Sequence, residues 1–525
     1  MKSLLGCACA LLALGGPRLA QWNPAAGQWG KTDVLDVRVM TWNIEDGLCS
    51  SNGKVEGNND WCALARVVAA LKPDVLILQE CGDNDGQGTG SGLDSVTNLS
   101  TVVNRFQYGG TDPFNGGSAI TSWVRKYAPT YELPFVFVSS DNDGFNRNVI
   151  LSRYPFGDLN GDNKSQYSDT PNISADLWAG GGDGGVRGFQ HAEFNLPDAS
   201  YAGDLVIGNS HLKAGSSAAD KAERLAAAKN ISYYLDAFYN GLGLGSVDPH
   251  AKIADSPAAT SVLSVERAIV FGGDWNEDES TNGTKGPADW LTKGAANDPA
   301  AGSSGADGVD RNRTDMSFDD ARDVFTNSAF TVSSAKFDHL AWQDSVIWQR
   351  RAFVFNSATL PVGAVPAELA GFSGGTGGVS NAASDHRPVV ADFVLLPALG
   401  CNTAGTNLGY AKIGGAGKFP RFSACGSLVT GGTATLNLVD ARPNSLAYLA
   451  LGFNSGVQLA LGGTLVPLAP QFLGPYATDA NGALAVPGIP GGGGPFSVVV
   501  QWGIIDLFAT QSTSFSNALR LNFLP

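Results

Sequence analysis

Short apolar segments with strand character dominate the chain between residues 21 and 400. Nine such segments, for example VLDVRVMTW, VLIL, NVILS, GDLVIGNS and AIVFGG, stand against two with clear helical periodicity, CALARVVAAL and ADKAERLAAAKNISYYLDAFY. A parallel βαβ arrangement would need roughly one helix for every strand. The pattern therefore predicts two packed sheets flanked by helices.

Side chains that bind metals or move protons stand where these strands end or begin. Those at strand ends are Asn43, Glu45, Glu80, His211, Asp274 and Asn276, and those just before strands are Asp344, Asp385 and His386. In an antiparallel sheet the end of one strand lies beside the beginning of the next. One cleft could therefore collect all of these groups. A solitary Glu or Asn after a strand is usually a turn residue, and only their repetition on five strands indicates a site.

The first 20 residues, MKSLLGCACALLALGGPRLA, have the pattern of a signal peptide, with one Lys, a short apolar run and then small residues. The apolar run is too short to cross a bilayer, which takes about 20 residues, and no later segment of the sequence is long enough. We therefore expect a secreted protein, extracellular or periplasmic, without an integral membrane segment.

Five cysteines remain after removal of the signal peptide. An exported chain can form disulfides, and the positions suggest Cys49 with Cys62 and Cys401 with Cys425, which leaves Cys81 as a thiol. The sequence has no Cys or His spacing of the kind that binds zinc. The cysteines are therefore expected to be structural.

Composition changes near residue 400. The last 125 residues carry a charge of +2 and the signal peptide another +2. Residues 21–400 must therefore carry a charge of −19 to give the net charge of −15. Short apolar runs separated by Gly, Pro and Asn recur in the last segment at a spacing typical of a β-sandwich. We expect one domain over residues 21–399 and a small all-β sandwich over residues 400–525. The second module would contact a surface or a glycan, or serve in sorting.

Six motifs of the larger domain occur in the order found in the endonuclease/exonuclease/phosphatase superfamily, and the chain resembles its deoxyribonuclease-like group over residues 35 to 396. They are WNIE at 42–45, LQE at 78–80, NSHLK at 209–213, GDWN at 273–276, WQDSVIW at 342–348 and SDHRPV at 384–389. The resemblance implies an α/β fold, the family's four-layer sandwich. It also implies the hydrolysis of phosphate esters with the help of a divalent cation.

The resemblance assigns the metal to oxygen ligands, with Glu80 as the main one and Asn43, Glu45 and Asp385 close by. Such donors suit Mg²⁺, and Mn²⁺ or Ca²⁺ are alternatives. Glu45 stands where many members have Asp, and its longer side chain leaves its direct contact with the metal open.

The resemblance also implies roles in catalysis. Asp274 and Asn276 would orient the attacking water and hold a phosphate oxygen, and His211 would donate to a nonbridging or leaving oxygen. His386 would pair with a carboxylate that fixes its tautomer. Two residues compete for that position, Asp344 and Asp338, and we prefer Asp344 because DSVIW begins a clear strand. Whether His386 or Asp274 accepts the proton of the water stays open.

Arg147, Arg187 and Lys213 are candidate phosphate contacts, and each could equally be a surface charge. The leading hypothesis is a secreted, monomeric, metal-dependent phosphodiesterase, an extracellular nuclease that acts on nucleic acid. The alternatives are a phosphatase or sphingomyelinase-like phosphoesterase, and a non-catalytic binding protein on the same fold. The −19 of the larger domain disfavours tight binding to DNA of any sequence, because such binding is largely electrostatic.

Overall fold

The computed structural model describes residues 22–82, 93–168, 187–240, 247, 257–261, 263, 267–278, 316–318, 320–343 and 346–525. The predicted signal peptide at residues 1–20 and the predicted site residue Asp344 lie outside these ranges.

The region before residue 400 contains strands and helices in mixed order. Its helices are α1 Asp60–Leu71, α2 Val96–Tyr108, α3 Val124–Tyr127, α4 Ala218–Asn240 and α5 Val379–Ala383. Its strands are β1 Trp22–Asn23, β2 Gln28–Trp29, β3 Val37–Asn43, β4 Val75–Cys81, β5 Gly110–Asp112, β6 Ser118–Ile120, β7 Phe135–Val138, β8 Arg147–Ser152, β9 Gln166–Tyr167, β10 Phe189–Phe194, β11 Leu205–His211, β12 Ala268–Asp274, β13 Met316–Phe318, β14 Arg322–Asp323, β15 Asp338–Gln343, β16 Ile347–Val354 and β17 Val389–Leu395.

Two large sheets form the centre of this region. One has the strand order β14-β16-β17-β3-β4-β8-β7 and the other the order β13-β15-β12-β11-β10-β9. Most neighbours are antiparallel, but β3 runs parallel to β4 and β11 runs parallel to β12. Helix α1 connects the first parallel pair and α4 follows β11 before the second strand of the other pair. A parallel neighbour requires such a crossover, which places a helix on the face of the sheet.

The apolar side chains divide this region into four layers. Alternate residues of the strands pack between the two sheets, among them Val39, Ile77, Ile207, Val270 and Ala391. The opposite face of the first sheet packs against α1 and α2, and the opposite face of the second sheet packs against α4. The predicted α/β sandwich of two mostly antiparallel sheets flanked by helices is confirmed.

Helix α1 begins and ends where its sequence favours it. The Asn59 side chain accepts a hydrogen bond from the backbone N–H of Cys62 and so caps the first turn. Lys72 adopts a left-handed conformation with φ of 49° and closes the last turn, and Pro73 cannot continue the helix. The helix is buried over nearly its whole length, which fixes β3 and β4 side by side.

The last part of the chain is all β. Its strands are β18 Gly405–Gly409, β19 Arg421–Gly426, β20 Thr433–Val439, β21 Leu446–Gly452, β22 Ser455–Ala460, β23 Gly463–Pro467, β24 Gln471–Ala477, β25 Leu484–Pro490, β26 Phe496–Ile505, β27 Thr513–Phe515 and β28 Ala518–Phe523. The sheet of β18, β28, β26, β21 and β24 and the sheet of β19, β20 and β25 share one apolar core around Trp502. This agrees with the predicted β-sandwich.

One of the two suggested disulfides is present. Cys401 and Cys425 form a disulfide across 24 residues. Cys49 and Cys62 are thiols, so the suggested Cys49–Cys62 disulfide is wrong. Each sulfur faces a different polar neighbour: Cys49 donates to Asn52 Oδ1 at 2.6 Å, and Cys62 lies 3.4 Å from a carboxylate oxygen of Glu56. Cys81 is a buried thiol, as expected.

In the part of the chain that the structure describes, none of the helices combines the length and the apolar character needed to span a bilayer.

Candidate active site

The two sheets place polar side chains along one shared edge. Asn43 is the last residue of β3 and Glu80 is the next-to-last residue of β4. His211 and Asp274 end the parallel strands β11 and β12 and are register partners. Asp338 begins the antiparallel strand β15 and is the register partner of Asp274. The predicted meeting of strand ends and strand beginnings is therefore present in the fold.

The backbone turns sharply at this edge. Glu45, Glu80 and Asn276 have φ of 45°, 58° and 52°, in the left-handed region that non-glycine residues rarely adopt. Strained residues of this kind are concentrated at functional sites. Next to Asp274, the backbone of Gly273 passes so close to the carbonyl oxygen of Ser210 that a Cβ atom would collide with it. The end of β12 is therefore held in one position.

A buried acid–imidazole pair lies at the centre of the edge. His386 Nδ1 is 2.7 Å from Asp338 Oδ2, and the Asp338 carboxylate is fully buried. The partner of His386 is thus Asp338, and the preference for Asp344 in this position was wrong. The reason is strand β15, which begins at Asp338 beside the end of β12 and points this carboxylate at the imidazole.

The carboxylates around His386 favour its charged form. Burial alone lowers the pKa of His386, but the negative charges of Asp338 and Asp274 outweigh it and raise the pKa to about 10. Because Nδ1 is taken up by Asp338, Nε2 is the ring atom directed at the other acids. It lies 3.8 Å from Asp274 Oδ2 and 3.9 Å from Asp385 Oδ1.

Asp274 is held by hydrogen bonds to both of its oxygens. Oδ2 accepts from Asn43 Nδ2 at 2.9 Å, and Oδ1 accepts from the backbone N–H of Asn276 at 2.8 Å. His211 Nε2 lies 3.5 Å from Oδ2 and 2.9 Å from the side-chain nitrogen of Asn276. Four of the predicted residues, Asn43, His211, Asp274 and Asn276, therefore form one connected network.

A second acidic group, formed by Glu45, Glu80 and Asp385, lies beside this network. Glu45 Oε2 accepts from the backbone N–H of Asp385 at 2.9 Å. Burial raises the pKa of Glu45, and the charges of Asp385 and Glu80 raise it further against this hydrogen bond. Burial also raises the pKa of Glu80, opposed by the Arg187 guanidinium and the Asn43 amide. The Asp385 side chain is largely exposed, so it reaches the group from the solvent side.

The three predicted phosphate contacts have different surroundings. Arg187 is in the site: its guanidinium contacts His211 Nδ1 and lies 3.8 Å from Glu80 Oε1. Lys213 follows the site strand β11 and is half-buried. Arg147 directs Nε and Nη1 at backbone carbonyls, including those of Asp94 at 2.9 Å and Ser140 at 2.7 Å. Through these bonds Arg147 holds the backbone at Asp94 and at Ser140 together.

Two further residues support the site and are not among the predicted site residues. Arg224 of α4 is buried and bonds Glu277 at 2.6 Å and the carbonyl of Lys213 at 2.8 Å. Asp143 binds Arg187 at 2.5 Å. Asp143 stands in an Asn-Asp-Gly turn whose sequence carries no signal other than that of a turn. The helical pattern alone does not reveal the burial of Arg224, because its partner Glu277 lies 53 residues further along the chain.

The donors at this edge fit a divalent cation. Among the described residues, Asp274, Asp338 and His386 offer ligand atoms that all lie within 4.8 Å of one another. Glu45, Glu80 and Asp385 add carboxylate oxygens, and burial raises the pKa of Glu45 and of Glu80. Oxygen donors of this kind bind Mg²⁺, Mn²⁺ and Ca²⁺.

Comparisons with known proteins find likeness among solved structures alone. No protein-family model and no curated protein match the chain. The human Nocturnin catalytic domain with bound sulfate anion is similar at 12% identity and a TM-score of 0.35, over 69% of this chain and 95% of that one. Sphingomyelinase C from Streptomyces griseocarneus is similar at 15% identity and a TM-score of 0.29, over 68% of this chain and 99% of that one.

A third solved structure, ANGEL2, a 2′,3′-cyclic phosphatase, in complex with adenosine-2′,3′-vanadate, is similar at 12% identity and a TM-score of 0.32, over 69% of this chain and 96% of that one. Function depends on the residues of a site and not on its fold.

Proposed function

We propose that the protein is a secreted, divalent-metal-dependent phosphodiesterase that hydrolyses nucleic acid. The observation that carries the proposal is the convergence of Asp274, Asp338 and His386 with Glu80 and its neighbours at one sheet edge. Acids, amides and an imidazole placed together in this way can orient water, bind phosphate oxygens and move a proton. The choice of nucleic acid rests on the NSHLK motif at 209–213 and on the resemblance to deoxyribonuclease-like proteins.

The acidic group provides the metal-binding part of the proposal. Glu80, Glu45, Asp385 and Asn43 would hold Mg²⁺, with Mn²⁺ or Ca²⁺ as substitutes. The bound cation supplies neutralisation of the charge that develops on the phosphate during hydrolysis. Glu45 bonds the backbone of Asp385, which fixes this exposed carboxylate beside the others.

The network around Asp274 provides the orientation of the water and the substrate. Asn43 and Asn276 hold both oxygens of Asp274, so the carboxylate cannot rotate and presents fixed acceptor positions to a water molecule. His211 and Arg187 contact each other beside Glu80 and would donate to phosphate oxygens. Lys213, two residues beyond His211, would add a further positive charge.

His386 is held in one orientation by Asp338. A buried carboxylate bonded to Nδ1 fixes the tautomer and directs Nε2 at the reacting groups, as acid–imidazole pairs do in other hydrolases. His386 Nε2 lies 3.8 Å from Asp274, and the charged ring would carry a proton there that it can donate to the reacting groups. Asp338 would thus act on the reaction through the His386 ring.

The chain divides into three segments in this proposal. Residues 1–20 direct export, residues 21–399 form the catalytic domain, and residues 400–525 form a module for contact with a surface or a glycan. The Cys401–Cys425 disulfide is compatible with an oxidising compartment. We expect the exported protein to be a monomer.

The substrate is tested by incubating the purified protein with plasmid DNA, RNA, bis-(p-nitrophenyl) phosphate, p-nitrophenyl phosphate and sphingomyelin, each with Mg²⁺ and with EDTA. The proposal predicts cleavage of DNA or RNA and of the diester with Mg²⁺, and no cleavage with EDTA. Preference for the monoester would support a phosphatase instead, and preference for sphingomyelin a lipid phosphodiesterase. No cleavage of any substrate with Mg²⁺, Mn²⁺ or Ca²⁺ would reject an enzymatic function.

A further inference from the structure

A loop away from the cleft has the residue pattern of a calcium-binding loop. Between β8 and β9 the sequence is Asp158-Leu-Asn160-Gly-Asp162-Asn163-Lys164, with acids or an amide at every second position. Calcium loops place oxygen donors at positions 1, 3 and 5, a backbone carbonyl at position 7 and a glycine in a sharp turn at position 6. Here Asn163 takes position 6 and has the left-handed φ of 62° that such a turn needs.

The side chains of this loop are arranged around their own backbone. Asp158 accepts from the backbone N–H groups of Gly161 at 2.8 Å and Asn163 at 2.9 Å. Asp162 accepts from the Tyr167 hydroxyl and from Asn160 Nδ2 at 3.3 Å. Asp158 is exposed, whereas Asn160 and Asp162 are buried. The loop is therefore closed on one side and open to solvent at Asp158.

An independent observation comes from strand β10. This strand pairs with β9, directly after the loop, and Glu193 extends that pairing by donating its N–H to the carbonyl of Ser165 at 2.9 Å. The Glu193 side chain is fully buried, and Oε2 accepts from the backbone N–H of Leu159, within the loop, at 2.5 Å. Among the described residues, the other oxygen, Oε1, has no hydrogen-bond partner. The buried Glu193 carboxylate thus bonds the loop through one oxygen and has its other oxygen without a donor.

The buried Glu193 carboxylate lies close to the acids of the loop. It bonds the backbone N–H of Leu159, the residue next to Asp158. A buried carboxylate is tolerated when it is paired or binds a metal. One divalent cation in the loop would neutralise Glu193 together with Asp158 and Asp162.

We propose that residues 158–164 and Glu193 form a second cation site, separate from the cleft, that binds Ca²⁺ and stabilises the fold. The donors are Asp158, Asn160, Asp162, the carbonyl of Lys164 and Glu193, all of them oxygens. Ca²⁺ accepts six to eight oxygen ligands in flexible geometry, whereas Mg²⁺ demands a near-ideal octahedron and keeps several waters. A site built from an irregular loop and one strand therefore favours Ca²⁺, which would clip the loop to β10.

The test measures binding and stability, so that its outcome is independent of the activity proposed above. It uses the Glu80→Gln protein, in which the cleft is weakened as a cation site, after removal of metals with EDTA. Addition of CaCl₂ should raise the melting temperature by about 3 °C or more. The same rise is expected in the additional variant Asp198→Asn, which removes an exposed carboxylate outside the loop. It should be lost in the additional variants Asp158→Asn and Glu193→Gln.

Asp158 is exposed, so its substitution keeps the fold even if the change at buried Glu193 does not. Terbium luminescence provides a second readout, because Tyr167 contacts Asp162 and can transfer energy to an ion in the loop. Luminescence excited through tyrosine should appear in the Glu80→Gln protein and be absent after Asp158→Asn. A protein without any Ca²⁺-dependent rise, or an Asp158→Asn variant with an unchanged rise and luminescence, would overturn the proposal.

Discussion

Replacing Asp338 by Asn is the change that most directly examines the acid–imidazole pair. The substitution keeps the shape of the side chain and removes its charge. Asp338 is fully buried and lies 2.7 Å from His386 Nδ1. An amide at this position can present its NH₂ group to Nδ1, which would select the opposite tautomer of the imidazole. Nε2 would still face the cleft, but the ring would be neutral and would carry its single proton on that atom.

The expected loss follows from the electrostatics of His386. The rise of its pKa from 6.5 to about 10 corresponds to about 5 kcal/mol of net stabilisation of the charged ring. Asp338 and Asp274 share this effect, and Asp338 is the nearer of the two. If Asp338 contributes about half of this stabilisation, the variant loses about 2 to 3 kcal/mol of it, which corresponds to about 10²-fold in rate when the charged ring acts in the transition state. The wrong tautomer adds to the loss, which can reach about 10⁴-fold in a comparable pair.

The assay is hydrolysis of bis-(p-nitrophenyl) phosphate with Mg²⁺, and the matched control is Asp344→Asn, which changes the other candidate carboxylate. Asp338→Asn should lower kcat by 10² to 10⁴-fold, and Asp344→Asn should leave it within about threefold. NMR titration of the His386 ring should show a fall of its pKa towards the ordinary value in Asp338→Asn. Full activity in Asp338→Asn together with loss in Asp344→Asn would refute the assignment.

Three further outcomes concern stability. Arg38→Met should destabilise the protein by about 3 kcal/mol in urea unfolding, because Arg38 and Asp392 form a buried bidentate pair at 2.6 and 2.9 Å. Met leaves the buried carboxylate with the longer contact to Arg351 Nε at 3.4 Å in place of that pair. Reduction of Cys401–Cys425 should lower the unfolding free energy of the β-sandwich by about 3 kcal/mol, because the bond closes a loop of 24 residues. In EDTA, the folded-state pKa of Glu193, about 8, lies above its usual 4.5. Its contribution to stability is therefore complete below pH 4.5 and is lost as the pH rises to about 8, so that wild type should lose up to about 5 kcal/mol relative to Glu193→Gln over this interval. A constant difference between the two proteins across the pH range would contradict this.

Much of the fold could be predicted from the sequence because its signals are local. The period of the apolar residues located α1 and the principal strands, and the polar residues at their ends marked one edge of the sheets. The sequence alone places Asn43, Glu80, His211, Asp274 and His386 together, since antiparallel neighbours bring strand ends and strand beginnings to one line.

The features that the sequence did not predict depend on contacts between side chains from different segments of the chain. The segment DHLAWQ is strand β15, and overlooking it moved the acid partner of His386 to Asp344. Arg224 reads as an exposed helix residue until Glu277 and the carbonyl of Lys213 are placed against it. The Cys49–Cys62 pairing followed from positions along the chain, which do not determine the direction of the side chains.

The proposed activity of the cleft at the strand ends is hydrolysis of phosphodiesters with the help of a divalent cation. It is tested by the rate of cleavage of plasmid DNA and bis-(p-nitrophenyl) phosphate by the wild-type protein and His386→Ala, with Mg²⁺ and with EDTA. We expect hydrolysis by the wild-type protein with Mg²⁺, none with EDTA, and a loss of at least about 10²-fold in His386→Ala. Equal rates with Mg²⁺ and with EDTA, or equal rates for the two proteins, would contradict this activity.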